Sequence, residues 1–300
     1  MIRIRTAATT AIVSAAAIGA YTIYDRIPEV DPTPTNAPIA NMQILQGHST
    51  AFDAPVVNPA GITWMANSGT YLISTDNRVV AEVSADYSTV LSEMKVSTNP
   101  IGTGDTEGVA YLGNGQAAVV GERGVVVLLA RTVDGWAETD RFDIEDIVAG
   151  TQLGSAAYDA ATNTLYTAQK TREKRLYAID LDDLSVEIID MTLAPNLDVV
   201  EGRAWSEFTI AGMDFDNGAL LANSEAFSSV LEIQTTGLVS DVYGIDNINE
   251  ASGLTIRDGQ IVLMGDAESY LPEPPIYLAN LPRQARPAVP SLMAPPALIN

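Results

Sequence analysis

The chain has 300 residues, with 38 acidic against 16 basic side chains and a formal charge of −22. That balance repels phosphate backbones, and no basic patch interleaved with aromatics offsets it, so nucleic-acid binding is excluded. The absence of cysteine removes disulfides, thiol nucleophiles and zinc–thiolate sites, and a single histidine, His48, excludes a multi-histidine metal centre.

The N-terminus opens with Arg3 and Arg5, followed by an uncharged stretch over residues 6–24 and then by Asp25 and Arg26. About 20 apolar residues suffice to cross a bilayer once, and the leading arginines place the N-terminus inside. The run is longer than a secretory h-region, and Ile18-Gly19-Ala20 is a weak cleavage site. Residues 1–26 are therefore read as a membrane anchor in preference to a cleaved signal. On either reading the body is exported. It faces the periplasm or exterior from a bacterial cell membrane, or it is secreted if residues 1–20 are removed. Prolines 32, 34 and 38 make residues 27–39 an extended, semi-rigid spacer. Residues 282–300 are again rich in proline and are expected to be a disordered tail.

Between these ends, over residues 40–281, a short motif recurs. Gly61-Ile62-Thr63-Trp64 returns as Gly108-Val109-Ala110-Tyr111, Ser155-Ala156-Ala157-Tyr158, Gly212-Met213-Asp214-Phe215 and Gly253-Leu254-Thr255-Ile256. Spacings near ~40–50 residues are those of propeller blades. Within each repeat, short runs rich in β-branched residues alternate with Asn, Gly and Asp turns, as at 108–112, 117–120 and 124–130, which predicts antiparallel meanders. No sustained 3.6-residue apolar period appears, so the expected class is all-β, a propeller preceded by one N-terminal apolar helix. Five motif copies argue for five blades, with residues 41–46 closing the ring as an outer strand. A sixth, degenerate blade within 155–212 is the alternative.

The second repeat carries more than a strand pattern. Asp105-Thr106-Glu107-Gly108-Val109-Ala110-Tyr111, followed by Gly121-Glu122-Arg123, resembles the motif of the SdiA-regulated (YjiK-like) family. Residues 164–170, residues 175–180 and Ala251-Ser252-Gly253-Leu254-Thr255 are similar to its later elements. The resemblance covers residues 55–280 and implies an exported, membrane-associated propeller akin to phytase-like and esterase-like ones. It also implies acids before the repeat glycines. Here those positions read Ala60, Glu107, Gly154, Ala211 and Ser252, and the family's Glu ahead of Lys170 is Gln169, so any multi-carboxylate site is thinned.

In a meander, the start of the innermost strand and the end of the second strand lie at one end of the channel. Those places supply Asp105, Glu107, Glu122, Glu225, Asp266 and Glu268 as candidate metal ligands, and Asp76, Gln169, Arg123 and Lys170 as a ligand rim. The spacing aligns Thr75, Glu122 and Gln169, each 47 residues apart. Oxygen donors without His or Cys suit Ca²⁺. The plain alternative is that Glu107 and Glu122 bond neighbouring blades or pair with Arg123.

Asp214–Gly218 lacks calcium-loop spacing and reads as a turn. The acidic run 140–146 reads as a solvated outer strand or loop, and Trp64, Trp136 and Trp205 read as packing residues. The favoured function is binding of a protein, glycan or small molecule by a monomer. The alternative is a metal-dependent esterase-, lactonase- or phosphatase-like hydrolase, with Glu107 or Glu122 as its base.

Overall fold

The Asn-Gly and Asp-Gly pairs that punctuate the sequence set the local geometry. Asn114 and Gly115 (φ 50° and 72°), Asn217 and Gly218 (51° and 81°), and Asp258 and Gly259 (52° and 79°) all adopt left-handed backbone. That is the two-residue turn whose twist matches the flanking strands of a hairpin. The computed structural model describes residues 43–45, 47–50, 56, 58–96, 104–148, 150–171, 174–197, 205–245, 251–265 and 276–280. The expected anchor, spacer and tail lie outside them. No helix among the described residues is long and apolar enough to cross a membrane.

Five sheets form, one per motif copy, each built on an antiparallel meander. Blade 1 comprises Pro59–Met65, Thr70–Thr75, Val79–Ser84 and Val90–Lys95. Blade 2 comprises Thr106–Gly113, Gln116–Gly121, Val125–Thr132 and Gly135–Asp143. Blade 3 has Ala157–Asp159, Thr164–Ala168, Arg175–Asp180 and Val186–Asp190. Blade 4 has Gly212–Asp216, Ala219–Ser224, Ser229–Gln234 and Leu238–Ile245. Blade 5 runs Ala251–Arg257, Gln260–Gly265 and Ile276–Asn280. Its fourth strand comes from the other end of the chain: Gly47–Thr50 pairs antiparallel with Ile276–Asn280.

The closing strand therefore lies a few residues after the expected 41–46. The reason is that the segment covers two edges in succession. Gln43–Leu45 first runs parallel to the outermost strand of blade 4, and only then does the chain reach blade 5. Closure of this kind ties the two ends of the chain into one blade and leaves only short outer edges. The long interval before Gly212 holds no sixth blade among the described residues. Thr192–Leu193 instead joins blade 4, beside two single-turn 3₁₀ helices, Pro195–Leu197 and Trp205–Glu207. The acidic run from Asp140 is an exposed outer strand leading into one helical turn, Glu145–Val148.

The core is divided among the five interfaces between adjacent blades. Val109, Val119, Leu72 and Val80 meet between blades 1 and 2, for example, and Ile62, Tyr71, Val262 and Met264 between blades 5 and 1. The motif glycines explain how the innermost strands meet. A Cβ on Gly61 would stand 2.5 Å from the Glu107 carbonyl oxygen of the next blade, and one on Gly108 would collide with the backbone of Ser155 and Ala156.

The third motif residue also has a reason. The Thr63 hydroxyl accepts the Tyr111 N–H at 3.2 Å, Thr255 accepts the Trp64 N–H at 2.9 Å, and the Asp214 carboxylate accepts the Ile256 N–H at 2.7 Å. Each bond ties one blade to the next. Arg257 reinforces the closing seam by stacking 4.5 Å over Trp64 and donating to the Tyr71 hydroxyl and the Ala85 carbonyl. The chain is a closed five-bladed β-propeller.

Candidate functional site: the acidic channel mouth

Four blades present to one end of the ring an equivalent residue just beyond the second strand. The hydrogen bonds identify it. Asp76 N–H donates to Asn58 O (3.0 Å), Glu122 N–H to Asp105 O (3.0 Å) and Lys170 N–H to Gln152 O (2.7 Å). In blade 4 the register Gly212↔Asn223 matches Gly61↔Ser74 and Gly108↔Val120, and the residue two beyond the partner, Glu225, holds the same position. Equivalent positions are therefore Asp76, Glu122, Lys170 and Glu225. This corrects the register read from spacing, which aligned Thr75 with Glu122 and Gln169.

The reason is hairpin length: Gly61 pairs with Ser74 and Gly108 with Val120, so the first hairpin of blade 2 is one residue shorter than that of blade 1. A bulge also stands just before the repeat glycine. Thr106 pairs with Gly121 but Gly108 pairs with Val120, so Glu107 is an extra residue in the ladder. Ala60 and Ser252 are its counterparts in blades 1 and 5. A bulge turns its residue away from the regular pleat. At Ala60 that carries no chemistry, and at Ser252 the hydroxyl donates to Pro59 O across the seam. At Glu107 it directs a carboxyl to the mouth.

Glu107 is 9 % exposed, and its Oε2 lies 3.6 Å from the Lys170 ammonium. Burial pushes this carboxyl up to about 8. Lys170 pulls it back down, while the negative charges of Asp76, Glu122 and Glu225 raise it further. The fold has thus brought four of the predicted residues into electrostatic reach of Glu107. Glu122 is also held in place, accepting a hydrogen bond from the Gln152 amide.

Gln169 is buried, at 2 % exposure. Its amide donates to Thr171 O (2.9 Å), while its Oε1 has no hydrogen-bond partner. Asp105 stands exposed at the rim, and Arg123 is half-buried. Asp266 and Glu268 lie outside the described residues. Among the described residues no three His, Cys, Asp or Glu side chains gather closely enough to hold a metal ion.

Several charged groups escaped the sequence reading. Lys174, buried at the start of the third strand of blade 3, is drawn down to about 8 by burial. Glu82 is fully buried between blades 1 and 2, where its carboxylate accepts from Thr70 (2.9 Å), Arg131 (2.7 Å) and Trp136 (3.0 Å). Asp214 is lifted to about 6, chiefly by burial, against the hydrogen bonds from Thr255, Ile256 and Phe215 that favour its charged form. Neither Glu82 nor Asp214 faces the mouth; both bond blades together. A shallow cavity of about 200 Å³ beside Tyr111, Arg131 and Trp136 lies at the opposite end of the ring.

The sequence profile of the SdiA-regulated family matches residues 43–264. No curated protein matches the chain. Among solved structures, glutaminyl cyclase from Myxococcus xanthus superposes with a TM-score of 0.55 at 15 % identity, over 80 % of this chain and 100 % of that one. Regucalcin from Agrobacterium tumefaciens strain C58, described as a calcium-binding protein, gives 0.50 at 11 % identity, over 81 % and 99 %. At these identities the likeness is one of fold alone.

Proposed function

This chain belongs to the SdiA-regulated family, and we propose that it is an exported propeller, tethered to the bacterial cell membrane through residues 1–26, that binds a ligand or partner at its channel mouth. The observation that carries this reading is Glu107. A buried carboxyl whose proton affinity is displaced by burial and by specific charged neighbours, at the entrance of a channel, is what a binding or catalytic site requires. Three half-buried carboxylates beside one ammonium leave the mouth net negative, so its ligand carries a positive group: an amine, or a basic side chain of a partner.

The test is isothermal titration of the full-length protein with spermidine as the cationic probe. Binding weakens about tenfold or more in Glu122→Gln and Glu225→Gln and falls as salt rises. Binding indifferent to both substitutions sinks the reading.

A calcium ion in the mouth is a narrower form of the same idea. The donor chemistry suits it, since the carboxylates and the Gln169 amide offer hard oxygen. The arrangement as it stands does not: an ammonium already stands beside Glu107.

A hydrolase of esterase, lactonase or phosphatase type is the second reading, and one observation favours it. A carboxyl poised near 8 exchanges its proton close to neutral pH, as a general acid or base must. Release of nitrophenol from nitrophenyl acetate or phosphate, lost in Glu107→Gln while spermidine binding persists, is its expected signature.

A further inference from the structure

Of the four equivalent positions at the mouth, three are acids and one, Lys170, is a base. Its placement is constrained along its whole length. Its N–H is held by Gln152 O at 2.7 Å, and its carbonyl accepts the Ile210 N–H at 3.1 Å from the segment leading into blade 4. Its stem lies over Gly154, where a Cβ would come within 3.1–3.2 Å of the lysine Cγ and Cβ. The glycine thus leaves the room that the stem fills, and the ammonium reaches Glu107. The adjoining residue, Gln169, is buried with an unpartnered carbonyl oxygen, a hard donor of the kind a cation would use.

We propose that Lys170 is the built-in counter-cation of the mouth, standing beside Glu107 where a divalent ion would stand and so keeping metal ions out. The proposal rests on the mouth being the binding site and adds what governs its choice of cation. An ammonium this close to Glu107 repels any second cation seated on the same carboxylate, and Coulomb repulsion over a few ångströms is strong in a partly desolvated site. A mouth arranged this way admits only ligands that can reach the remaining acids, Asp76, Glu122 and Glu225, without displacing the lysine.

The experiment uses full-length protein as wild type, Lys170→Met, and Lys170→Met with Glu107→Gln. Calcium chloride is titrated by calorimetry, and melting temperature is followed with and without chelator. Methionine keeps most of the stem and removes the charge. Lys170→Gln serves as the second variant should the methionine form fail to fold.

The expected result is that Lys170→Met binds Ca²⁺ about tenfold tighter than wild type or better, with a melting temperature that now depends on chelator. Both gains vanish in the double variant. Equal calcium affinity in wild type and Lys170→Met, including no binding by either, overturns the proposal. If that happens while spermidine binding still depends on Glu122 and Glu225, the binding mouth stands and only the role of Lys170 falls. A calcium gain in Lys170→Met with spermidine indifferent to those two acids has the opposite meaning: the counter-cation holds and the mouth as a ligand site fails.

Discussion

Replacing Glu107 with Gln removes the one carboxyl in the mouth that burial has lifted furthest, and the effect on stability has a definite sign. The folded protein holds the Glu107 proton up to about 8, against an ordinary value of 4.5. Between those values the native state binds more protons than the unfolded chain, so stability is greatest below 4.5 and falls as pH rises through 8. At about 1.4 kcal/mol per pH unit, the gap sets an upper bound of ~5 kcal/mol on the loss by pH 9. Water entry and shifts of Lys170 reduce it, and a loss of ~2 kcal/mol is a reasonable lower expectation. Glutamine keeps the shape and titrates nowhere, so the variant lacks this slope. Other shifted groups, Asp214 raised and Lys174 lowered among them, titrate in both proteins and cancel in the difference. The assay is urea unfolding at pH 5, 7 and 9, read by fluorescence of Trp64, Trp136 and Trp205. The variant should gain on the wild type steadily as pH rises. A difference between the two that stays constant within ~0.5 kcal/mol across that range refutes the claim that Glu107 is a buried carboxyl under its neighbours' charge.

Two further contrasts test the framework that presents the mouth. Gly108→Ala drives a Cβ into the backbone of Ser155 and Ala156 in the next blade and should cost ~3 kcal/mol or prevent folding. Gly69→Ala, with open space around it and only a left-handed φ of 67° to strain, should cost ~1 kcal/mol; thermal unfolding of the two, if indistinguishable, removes the close-approach argument. Glu82→Ala strands the buried donors of Thr70 and Trp136 and frees Arg131, at an expected ~3–5 kcal/mol with a shift in Trp136 emission. Glu138→Ala, which breaks the exposed pair with Arg141, should stay under ~1 kcal/mol, and equal losses in a denaturant series count against a structural role for Glu82.

The blades were legible because their determinants are local or repeated. Asn-Gly and Asp-Gly turns fix the hairpins wherever they occur, and the repeat glycines at 61, 108, 212 and 253 mark points where adjacent innermost strands come too close for a side chain. Counting motif copies therefore counted blades. Closure was less legible, since strand propensity says that residues near 41–50 are extended but not which edge they meet. The parallel contact of Gln43–Leu45 with blade 4 depends on a partner some 200 residues away, and it delays arrival at blade 5. The pairing of Thr192–Leu193 with blade 4 likewise absorbed the interval in which a sixth blade was conceivable.

The mouth was legible in outline and wrong in register, and the error has a single physical source. Sequence spacing counts residues, whereas the hairpin from Gly108 to its partner Val120 is one residue shorter than that from Gly61 to Ser74, so a period of 47 slides out of step with the ladder. The bulge before the repeat glycine gives Glu107 its character. A carboxyl on the regular pleat of Thr106–Gly113 would point into an interblade core or into the next strand, where nothing offsets its charge. Displaced from the ladder, it meets Lys170, 63 residues further along the chain, and feels acids from three blades. That meeting could not be read from either segment alone, because it is a property of the ring. Glu82 makes the complementary case: it sits on an ordinary strand, its partners are Thr70 within the blade and Arg131 and Trp136 in the next, and its bonds are saturated. A buried acid whose bonds are saturated within the framework holds blades together. One lifted off the ladder, under-compensated and facing the channel is the acid that is left to act on something else.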